Sequence, residues 1–258
     1  MSNRDTRDGE MRTAILCGAC SAVAMALGRR LVARGWRLHL LGRDLERLEQ
    51  IAADLRVRGG AAVSFSFFDA ADITSIPAAF STAIQLLPTP LDGVIVCHGL
   101  LPDEAERFPG PDELQRTIDV NFTSVAILLS LAAERLAGRQ GSFLAAISSV
   151  AGDRGRQSNF CYGSAKAGLT AWLSGLRNRL QPSGIRVLTI KPGIIDSPMT
   201  VGRAVGPKAL ITTPAAVAAD IERAILNGSD VVYTPWFWRP IMAAIQAIPE
   251  PVFKRLRL

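Results

Sequence analysis

The chain has 258 residues, 48% of them apolar and 20% charged, a balance typical of a globular protein with a sizeable core. Its net charge of +6 is not accompanied by a nucleic-acid-binding motif, so the sequence argues against binding to nucleic acid and favours an acidic ligand or an anionic membrane surface. No stretch of about 18 uninterrupted apolar residues occurs, so no membrane-spanning helix is predicted.

The first residues and the cysteines predict a cytoplasmic location. Residues 1–12 are polar and lack the apolar run of a signal peptide, so we expect a flexible leader there. The cysteines fall within predicted regular elements, which favours reduced thiols over a disulfide framework. They are Cys17, Cys20, Cys97 and Cys161. Cys17 and Cys20 form a CxxC pair, but without a second pair or a neighbouring histidine we predict no metal site.

Short apolar runs alternate with longer segments of helical period along the chain. The predicted strands are 13–17, 37–41, 62–68, 93–97, 142–147, 186–190 and 230–233. The predicted helices are 22–34, 44–57, 76–87, 112–137, 161–180 and 214–226. Apolar strands separated by helices predict a parallel sheet covered on both faces. We therefore expect one α/β domain over 13–234, a doubly wound, Rossmann-like three-layer fold that binds its ligand at the carboxyl ends of the strands.

The stretch CGACSAVAMALG, residues 17–28, leads the first strand into the first helix. A tight turn at Gly18 lets backbone amides and the positive helix end meet a pyrophosphate, although a simple strand–helix turn remains an alternative. A dinucleotide fingerprint has further glycines where this chain has Ala22 and Ala24. The predicted cofactor contacts in this turn are Gly18, Cys20, Ser21, Ala22 and Val23.

The ends of the second and third strands bear on the choice of cofactor. Gly42 occupies the position where a carboxylate would bind the ribose of NAD, and Arg43 follows it. A guanidinium there can bind a 2′-phosphate, so we predict NADP, with NAD as the alternative. Asp44 either contributes to this site or caps the next helix. Asp69, followed by Ala70, either accepts a hydrogen bond from adenine or caps a turn.

Tyr162 and Lys166 in NFCYGSAKAGL lie one helical turn apart on the same face. Taken alone, this pair indicates a solvated helix surface rather than a catalytic site, because charged helix faces are usually solvated.

Six segments in a fixed order decide between these interpretations. They are the Gly18 turn, VIVCHG at 94–99, IDVNF at 118–122, AISSVAG at 146–152, YGSAK at 162–166 and KPGIIDSPM at 191–199. Together they resemble the short-chain dehydrogenase/reductase superfamily from residue 13 to residue 233. The resemblance implies an NAD(P)-dependent enzyme that transfers hydride between nicotinamide and a substrate carbonyl.

The resemblance also implies roles for individual residues. The implied active site is Asn121, Ser149, Tyr162 and Lys166. Tyr162 would exchange a proton with the substrate. Lys166, together with the positive charge of the oxidised nicotinamide, would lower the pKa of Tyr162, and Lys166 would also bind the nicotinamide ribose. Ser149 would hold the substrate oxygen, and Asn121 would organise a water molecule. Gly99, Pro192, Gly193, Ile195 and Ser197 would contact the cofactor near its nicotinamide end.

One departure from the family pattern leaves a second class of function open. The usual NNAG after the fourth strand reads Val96, Cys97, His98 and Gly99 here. His98 is interpreted as a wall residue rather than an acid or a phosphate ligand. A regulatory protein on a catalytically decayed dinucleotide-binding fold is therefore the alternative, although the intact Ser149, Tyr162 and Lys166 argue against it.

The tail, residues 235–258, combines aromatic and aliphatic residues with a basic end. It fits a helix docked on its own domain or on a dimer partner, or an interfacial segment at the inner membrane. This ending also resembles that of family members that reduce a 2-keto-pentose on polyprenyl phosphate made by a separate flavin oxidase. Arg154, Arg156 and Arg203 are the predicted contacts for such a phosphate.

The same predicted active site would also serve a small lipid, steroid or 3-oxoacyl ketone. By resemblance, we expect a homodimer or homotetramer formed through the helices at 112–137 and 161–180.

Overall fold

A computed structural model of the chain describes residues 11–59, 62–87, 90–102, 108–200 and 207–256. Nearly all of the predicted leader, and Arg203, lie outside the described residues.

The fold is a seven-stranded parallel sheet between two layers of helices, which confirms the predicted fold class. The strands are β1 Thr13–Cys17, β2 Arg37–Gly42, β3 Val63–Phe67, β4 Gly93–Val96, β5 Phe143–Ile147, β6 Arg186–Pro192, β7 Ile194–Ile195, β8 Ile211–Thr212 and β9 Val231–Thr234. Their order in the main sheet is β3-β2-β1-β4-β5-β6-β9, and β7 pairs separately with β8. Because the order reverses beside β1, the turns after β1 and β4 open a crevice at their carboxyl ends.

The helices are α1 Ala22–Ala33, α2 Leu45–Gly59, α3 Ile76–Gln85, α4 Pro111–Ile118, α5 Ser124–Arg135, α6 Phe160–Leu180, α7 Pro214–Asn227, α8 Trp238–Ala247 and α9 Glu250–Phe253. Apart from the predicted helix 112–137, no predicted element end differs from the observed one by more than two residues. The pattern of apolar residues predicts the bounds of these elements closely because each helix or strand buries one face or both.

The sheet has a hydrophobic core on each face. Alternate residues of β1 point to opposite faces, so Leu16 packs with α1, α2 and α7, whereas Ile15 packs with α3, α5 and α6. Such strands are buried on both faces, which explains their continuous apolar runs.

The predicted helix 112–137 is interrupted. Its hydrogen bonding changes to a π-helical turn over Asp119–Thr123, between α4 and α5. Within the described ranges, 111–135 is the one helical stretch long and apolar enough to cross a membrane. It lies in the folded domain, however, and α5 contributes Val125, Leu128 and Leu129 to the core.

The tail folds back onto the domain. Trp238 and Met242 of α8 are buried in a third cluster with Val150, which directly follows Ser149. The guanidinium of Arg154 donates hydrogen bonds to the carbonyls of Gln246 and Ile248, at 2.9 and 3.0 Å. These contacts place α8 beside the carboxyl ends of β5 and β6.

Candidate functional site

The predicted catalytic side chains meet where β5 ends. Ser149 follows β5 and begins a 3-10 turn over Val150–Gly152 by accepting a hydrogen bond from the Ala151 amide at 3.0 Å. Its side chain also hydrogen-bonds the phenol of Tyr162. Lys166, only 1% exposed, donates from Nζ to the carbonyl of Ile147 at 2.9 Å. The structure thus brings Ser149, Tyr162 and Lys166 together.

Two glycines set the separation between the Ser149 turn and helix α6. A Cβ on Gly152 would lie 2.7 Å from the Ala167 amide nitrogen. A Cβ on Gly163 would lie 2.9 Å from the Ala151 carbonyl oxygen. These distances are too short for a side chain, so the turn and the helix are in direct backbone contact.

Asn121 lies in the π-helical turn and is fully buried. Its Nδ2 donates to the carbonyls of Leu100 and Thr117, at 2.7 and 2.9 Å, and its Oδ1 accepts from the Leu100 amide at 3.1 Å. A Cβ on Gly99 would lie 3.1 Å from Asn121 Oδ1 and 3.7 Å from Lys166 Nζ. The side chain of Asn121 therefore holds the loop after β4 close to Lys166. Its role in organising water stays a prediction.

Burial controls the acidity of Tyr162 in this structure. Burial raises the pKa of Tyr162 to about 12, although the hydrogen bond from Ser149 opposes the rise. Burial also lowers the pKa of Lys166 to about 8. The Lys166 ammonium lies 5.8 Å from the centre of the Tyr162 ring. The sequence-based expectation attributes a lowered pKa to Lys166 together with the positive charge of the oxidised nicotinamide, so it stays a prediction for the protein with bound cofactor.

The turn after β1 has the geometry that a pyrophosphate needs. Gly18 has φ +74°, and a Cβ on it would lie 2.5 Å from the His98 amide nitrogen. Ser21 caps α1 by accepting from the Ala24 amide at 3.2 Å. Cys20 lies in this turn, and Ala22 and Val23 begin the helix, so its N-terminal amides face the crevice end of β1. The residues present fit the pyrophosphate of a dinucleotide.

Side chains at the ends of β2 and β3 shape the adjoining part of the crevice. Asp44 caps α2 by accepting from the Arg47 amide at 3.0 Å. Asp69 caps a turn by accepting from the Ala71 amide at 3.0 Å, and it lies 4.0 Å from Arg43 Nε. For both carboxylates the structure shows the capping contact that the sequence left as an alternative. Ala70 is buried beside Asp69.

Sequence reasoning missed Arg47. Burial, the largest effect, and the charge of Asp44 raise the pKa of the Cys20 thiol, whereas the charges of Arg47 and Arg43 lower it. Two guanidinium groups therefore act on the same point of the Gly18 turn. The four-residue spacing of Arg43 and Arg47 could have indicated this.

The predicted nicotinamide contacts follow β6. Pro192 ends that strand, and Gly193 is covered by the Trp238 indole. Ile195 belongs to β7, and its carbonyl accepts a hydrogen bond from the Thr200 hydroxyl at 2.6 Å. The Ser197 amide donates to that same hydroxyl at 3.2 Å. Gly193, Ile195 and Ser197 thus lie on one short, internally bonded segment beside the ends of β5 and β6.

The geometry agrees with the comparison with known families. The model of the family described as short chain dehydrogenase matches residues 12–205. The chain belongs to the short-chain dehydrogenase family. Members of this family are NAD(P)-dependent oxidoreductases, so the chain is an oxidoreductase.

Similar proteins match this dehydrogenase over most of its length. An uncharacterized oxidoreductase of Streptomyces coelicolor is 36% identical over 249 residues, covering 96% of this chain and 97% of the relative. The ketoacyl reductase HetN of a Nostoc species is 27% identical, covering 84% of this chain and 76% of the relative. Among solved structures, a short-chain dehydrogenase from Sphingobium yanoikuyae in complex with NADPH has a TM-score of 0.79. It is 24% identical and covers 93% of this chain and 97% of its own.

His98, which departs from the family pattern, connects three elements of the dehydrogenase. Its Nδ1 lies 3.3 Å from the Cys17 thiol, and its Nε2 lies 3.0 Å from the Ser124 hydroxyl. Loss of hydration, with a smaller effect of Lys166, lowers the pKa of His98 to about 3. The ring is therefore neutral at ordinary pH and serves as a structural link, in keeping with its interpretation as a wall residue.

The predicted phosphate contacts differ in their surroundings. Arg154 also donates to the Glu250 carboxylate at 2.7 Å and stacks on Phe253 at 4.0 Å, so its guanidinium is occupied by the tail. Its role as a phosphate contact stays a prediction. Arg156 is partly buried, which lowers its pKa. No hydrogen-bond partner for its Nε is found among the described residues.

Proposed function

We propose that this protein is an NADPH-dependent carbonyl reductase in which Asn121, Ser149, Tyr162 and Lys166 form the active site. The observation that carries the proposal is the hydrogen bond between Ser149 and the partly buried Tyr162, whose pKa is about 12. Because such a phenol keeps its proton near neutral pH, it is available to a substrate oxygen that becomes negatively charged.

Each side chain then has a distinct task. A bound nicotinamide would supply the hydride in reduction or accept it in oxidation. The Ser149 hydroxyl hydrogen-bonds the Tyr162 phenol in this structure, and its single proton can turn to the substrate oxygen when a ketone lies between the two side chains. Tyr162 gives its proton to that oxygen as negative charge develops on it. Lys166, held by the Ile147 carbonyl, stabilises the phenolate that remains. Oxidation of an alcohol reverses these transfers.

We propose NADPH as the preferred cofactor, with NADH as the weaker alternative. Arg43 and Arg47 place two positive charges next to the Gly18 turn, where a 2′-phosphate would add two negative charges. The Sphingobium dehydrogenase of the same fold was solved with NADPH.

For the substrate we propose a ketone carried on an apolar chain. One candidate is the 2-keto-pentose on polyprenyl phosphate that the reductase component of decaprenylphosphoryl-ribose 2-epimerase accepts from a flavin oxidase partner. The 77% exposed Trp236 and the exposed Lys254 and Arg255 support contact with an anionic membrane, so we propose a cytoplasmic protein that associates peripherally with the inner membrane. A 3-oxoacyl chain is the second candidate, supported by the ketoacyl reductase from Nostoc.

We further propose that the enzyme assembles as a homodimer or homotetramer through 111–135 and α6. Sedimentation of the purified protein tests this assembly. A monomer at micromolar concentration would contradict it.

Replacement of the two tyrosines tests the catalytic proposal. Tyr162→Phe should abolish NADPH oxidation with every ketone while leaving NADPH binding, followed by cofactor fluorescence, unchanged. Tyr233→Phe is the matched control, because Tyr233 is the other tyrosine of the chain and burial also raises its pKa to about 12. The control should keep its turnover. Turnover by Tyr162→Phe would refute the proposal, and failure to bind either NADPH or NADH would favour the regulatory alternative.

Comparison of ketones identifies the substrate. NADPH oxidation should be measured with a polyprenyl-phosphate keto-pentose, a 3-oxoacyl thioester and small soluble ketones, each with and without anionic vesicles. A rate that is highest for the carrier-linked sugar and rises with vesicles supports the first candidate. Equal rates with the carrier-free ketones would count against it.

A further inference from the structure

Trp238 is the first residue of α8 and lies deep beneath the tail. It is 4% exposed and packs with the fully buried Met242 and with Val150. Val150 directly follows Ser149, so this indole is one residue away from a side chain of the proposed active site.

The same indole covers Gly193. A Cβ on Gly193 would lie 1.9 Å from Trp238 Nε1, 2.2 Å from Cε2 and 2.6 Å from Cδ1. The ring therefore occupies the space into which any other residue at 193 would direct its side chain. Because Gly193 follows the end of β6 and Val150 lies in the turn after β5, Trp238 packs against the segments that follow both strands.

Trp238 acts at this place through its shape. Its one polar atom, Nε1, is buried against Gly193 and has no hydrogen-bond partner in the part of the chain that the structure describes. An indole without a polar contact offers only an apolar wall to a neighbouring ligand. The wall is contributed by the tail, which is joined to the Ser149 turn through Arg154.

We propose that Trp238 determines which substituents a ketone can carry and which enantiomer of the alcohol forms. The inference rests on the proposed function, because Ser149 and Tyr162 fix the carbonyl oxygen. Once the oxygen is fixed, the two substituents of a ketone point in two directions. If the Trp238 ring lies on one side, only the smaller substituent fits there. Exchanging the two substituents would present the opposite face of the carbonyl to the nicotinamide and give the opposite enantiomer. Trp238 thus sets both the size limit and the product chirality.

A series of aryl ketones with a constant phenyl group tests the wall. Acetophenone, propiophenone and butyrophenone carry methyl, ethyl and propyl groups on the other side. Trp238→Ala should raise kcat/KM for butyrophenone relative to acetophenone at least about tenfold, and the enantiomeric excess of the alcohols should fall. Trp238→Phe, which keeps an aromatic ring, should give a smaller change in both.

Two control variants distinguish the effect of the Trp238 ring on the substrate from a general loss of stability and from the loss of an exposed tryptophan. Met242→Ala removes a fully buried residue of the same cluster, whereas the three atoms closest to a Cβ on Gly193 all belong to Trp238. This control should lower the melting temperature without changing the size ratio or the enantiomeric excess. Trp236→Ala removes an exposed tryptophan and should change neither. If Trp238→Ala fails to fold, Trp238→Leu and Trp238→Phe carry the comparison.

A binding measurement makes the test independent of turnover. Titration calorimetry with the three corresponding alcohols, on protein saturated with NADP⁺, should show that Trp238→Ala favours the largest alcohol relative to the smallest. An unchanged order of affinities, with unchanged enantiomeric excess, would overturn the inference. A wild-type protein that reduces no ketone, but whose alcohol affinities shift in this way, would contradict the proposed function and leave the wall supported.

Discussion

Replacing Asp153 by asparagine should strongly destabilise the protein. The Asp153 side chain is 2% exposed and accepts hydrogen bonds from Lys191 Nζ at 2.5 Å and from the Tyr233 hydroxyl at 2.9 Å. The Lys191 side chain is itself only 9% exposed. Asp153→Asn keeps the shape of the residue but leaves the Lys191 ammonium buried without a counter-charge. Breaking such a pair from one side costs about 3–5 kcal/mol.

The same substitution at a surface carboxylate provides the matched control. Asp54 has two cationic partners, Arg29 and Arg58, at 3.0 and 2.7 Å, but its side chain is 34% exposed and each partner is 51% exposed. Asp54→Asn should therefore cost less than about 1 kcal/mol. Asp54 has one more cationic partner than Asp153 but is far more exposed, so a larger loss at Asp153 is attributable to burial.

Thermal and urea unfolding measure the loss of stability in both variants. Asp153→Asn should lower the melting temperature by on the order of 10 °C, since each kcal/mol shifts a domain of this size by roughly 2–4 °C. The double variant Asp153→Asn with Lys191→Met should regain part of the loss, because it no longer buries an uncompensated charge. Equal losses for Asp153→Asn and Asp54→Asn would refute the reasoning.

Three further tests address the cofactor turn and the effect of acid. Arg43→Ala and Arg47→Ala should each reduce the preference for NADPH over NADH by about 10–100-fold in kcat/KM, because each removes a charged contact. An unchanged preference would show that the replaced arginine does not contact the 2′-phosphate. Gly18→Ala should weaken NADPH binding more than tenfold in fluorescence titrations. The left-handed backbone at position 18 costs about 1–2 kcal/mol for alanine, and the alanine Cβ would collide with His98. Wild-type affinity in this variant would show that the turn adapts. Burial lowers the pKa of His39 to about 4, so the unfolded chain binds a proton before the folded one does. Above pH 6.5 the neutral His39 makes its full contribution to the free energy of unfolding, and this contribution falls by about 3 kcal/mol as the pH drops to 4. In urea unfolding, His39→Gln should therefore lose stability less steeply than the wild type over that pH range.

The strands were predictable because successive residues of each strand face opposite hydrophobic cores. Ile15 and Leu16 pack on different sides of the sheet, so β1 has a continuous apolar run that no amphipathic helix shares. The proximity of Ser149, Tyr162 and Lys166 was implied by the family resemblance. Local pattern and family resemblance together were sufficient for these features.

Features that depend on distant contacts were not predictable. The π-helical turn at Asp119–Thr123 leaves the helical spacing of apolar residues almost unchanged, so periodicity continues through it. The partners of Arg154 lie 92 to 96 positions further along the chain. The high pKa of Tyr162 reflects burial, which no local pattern reports. In each case the deciding interaction is tertiary.

The backbone contact at Gly152 and Gly163 has a consequence for how this enzyme can diversify. Since no side chain separates the Ser149 turn from α6, the spacing of the two reacting hydroxyls does not depend on the size of any variable residue. Mutations in the tail can therefore alter which compounds fit without altering the path of the proton. A lineage built on this scaffold can acquire new substrates while its chemistry stays constant.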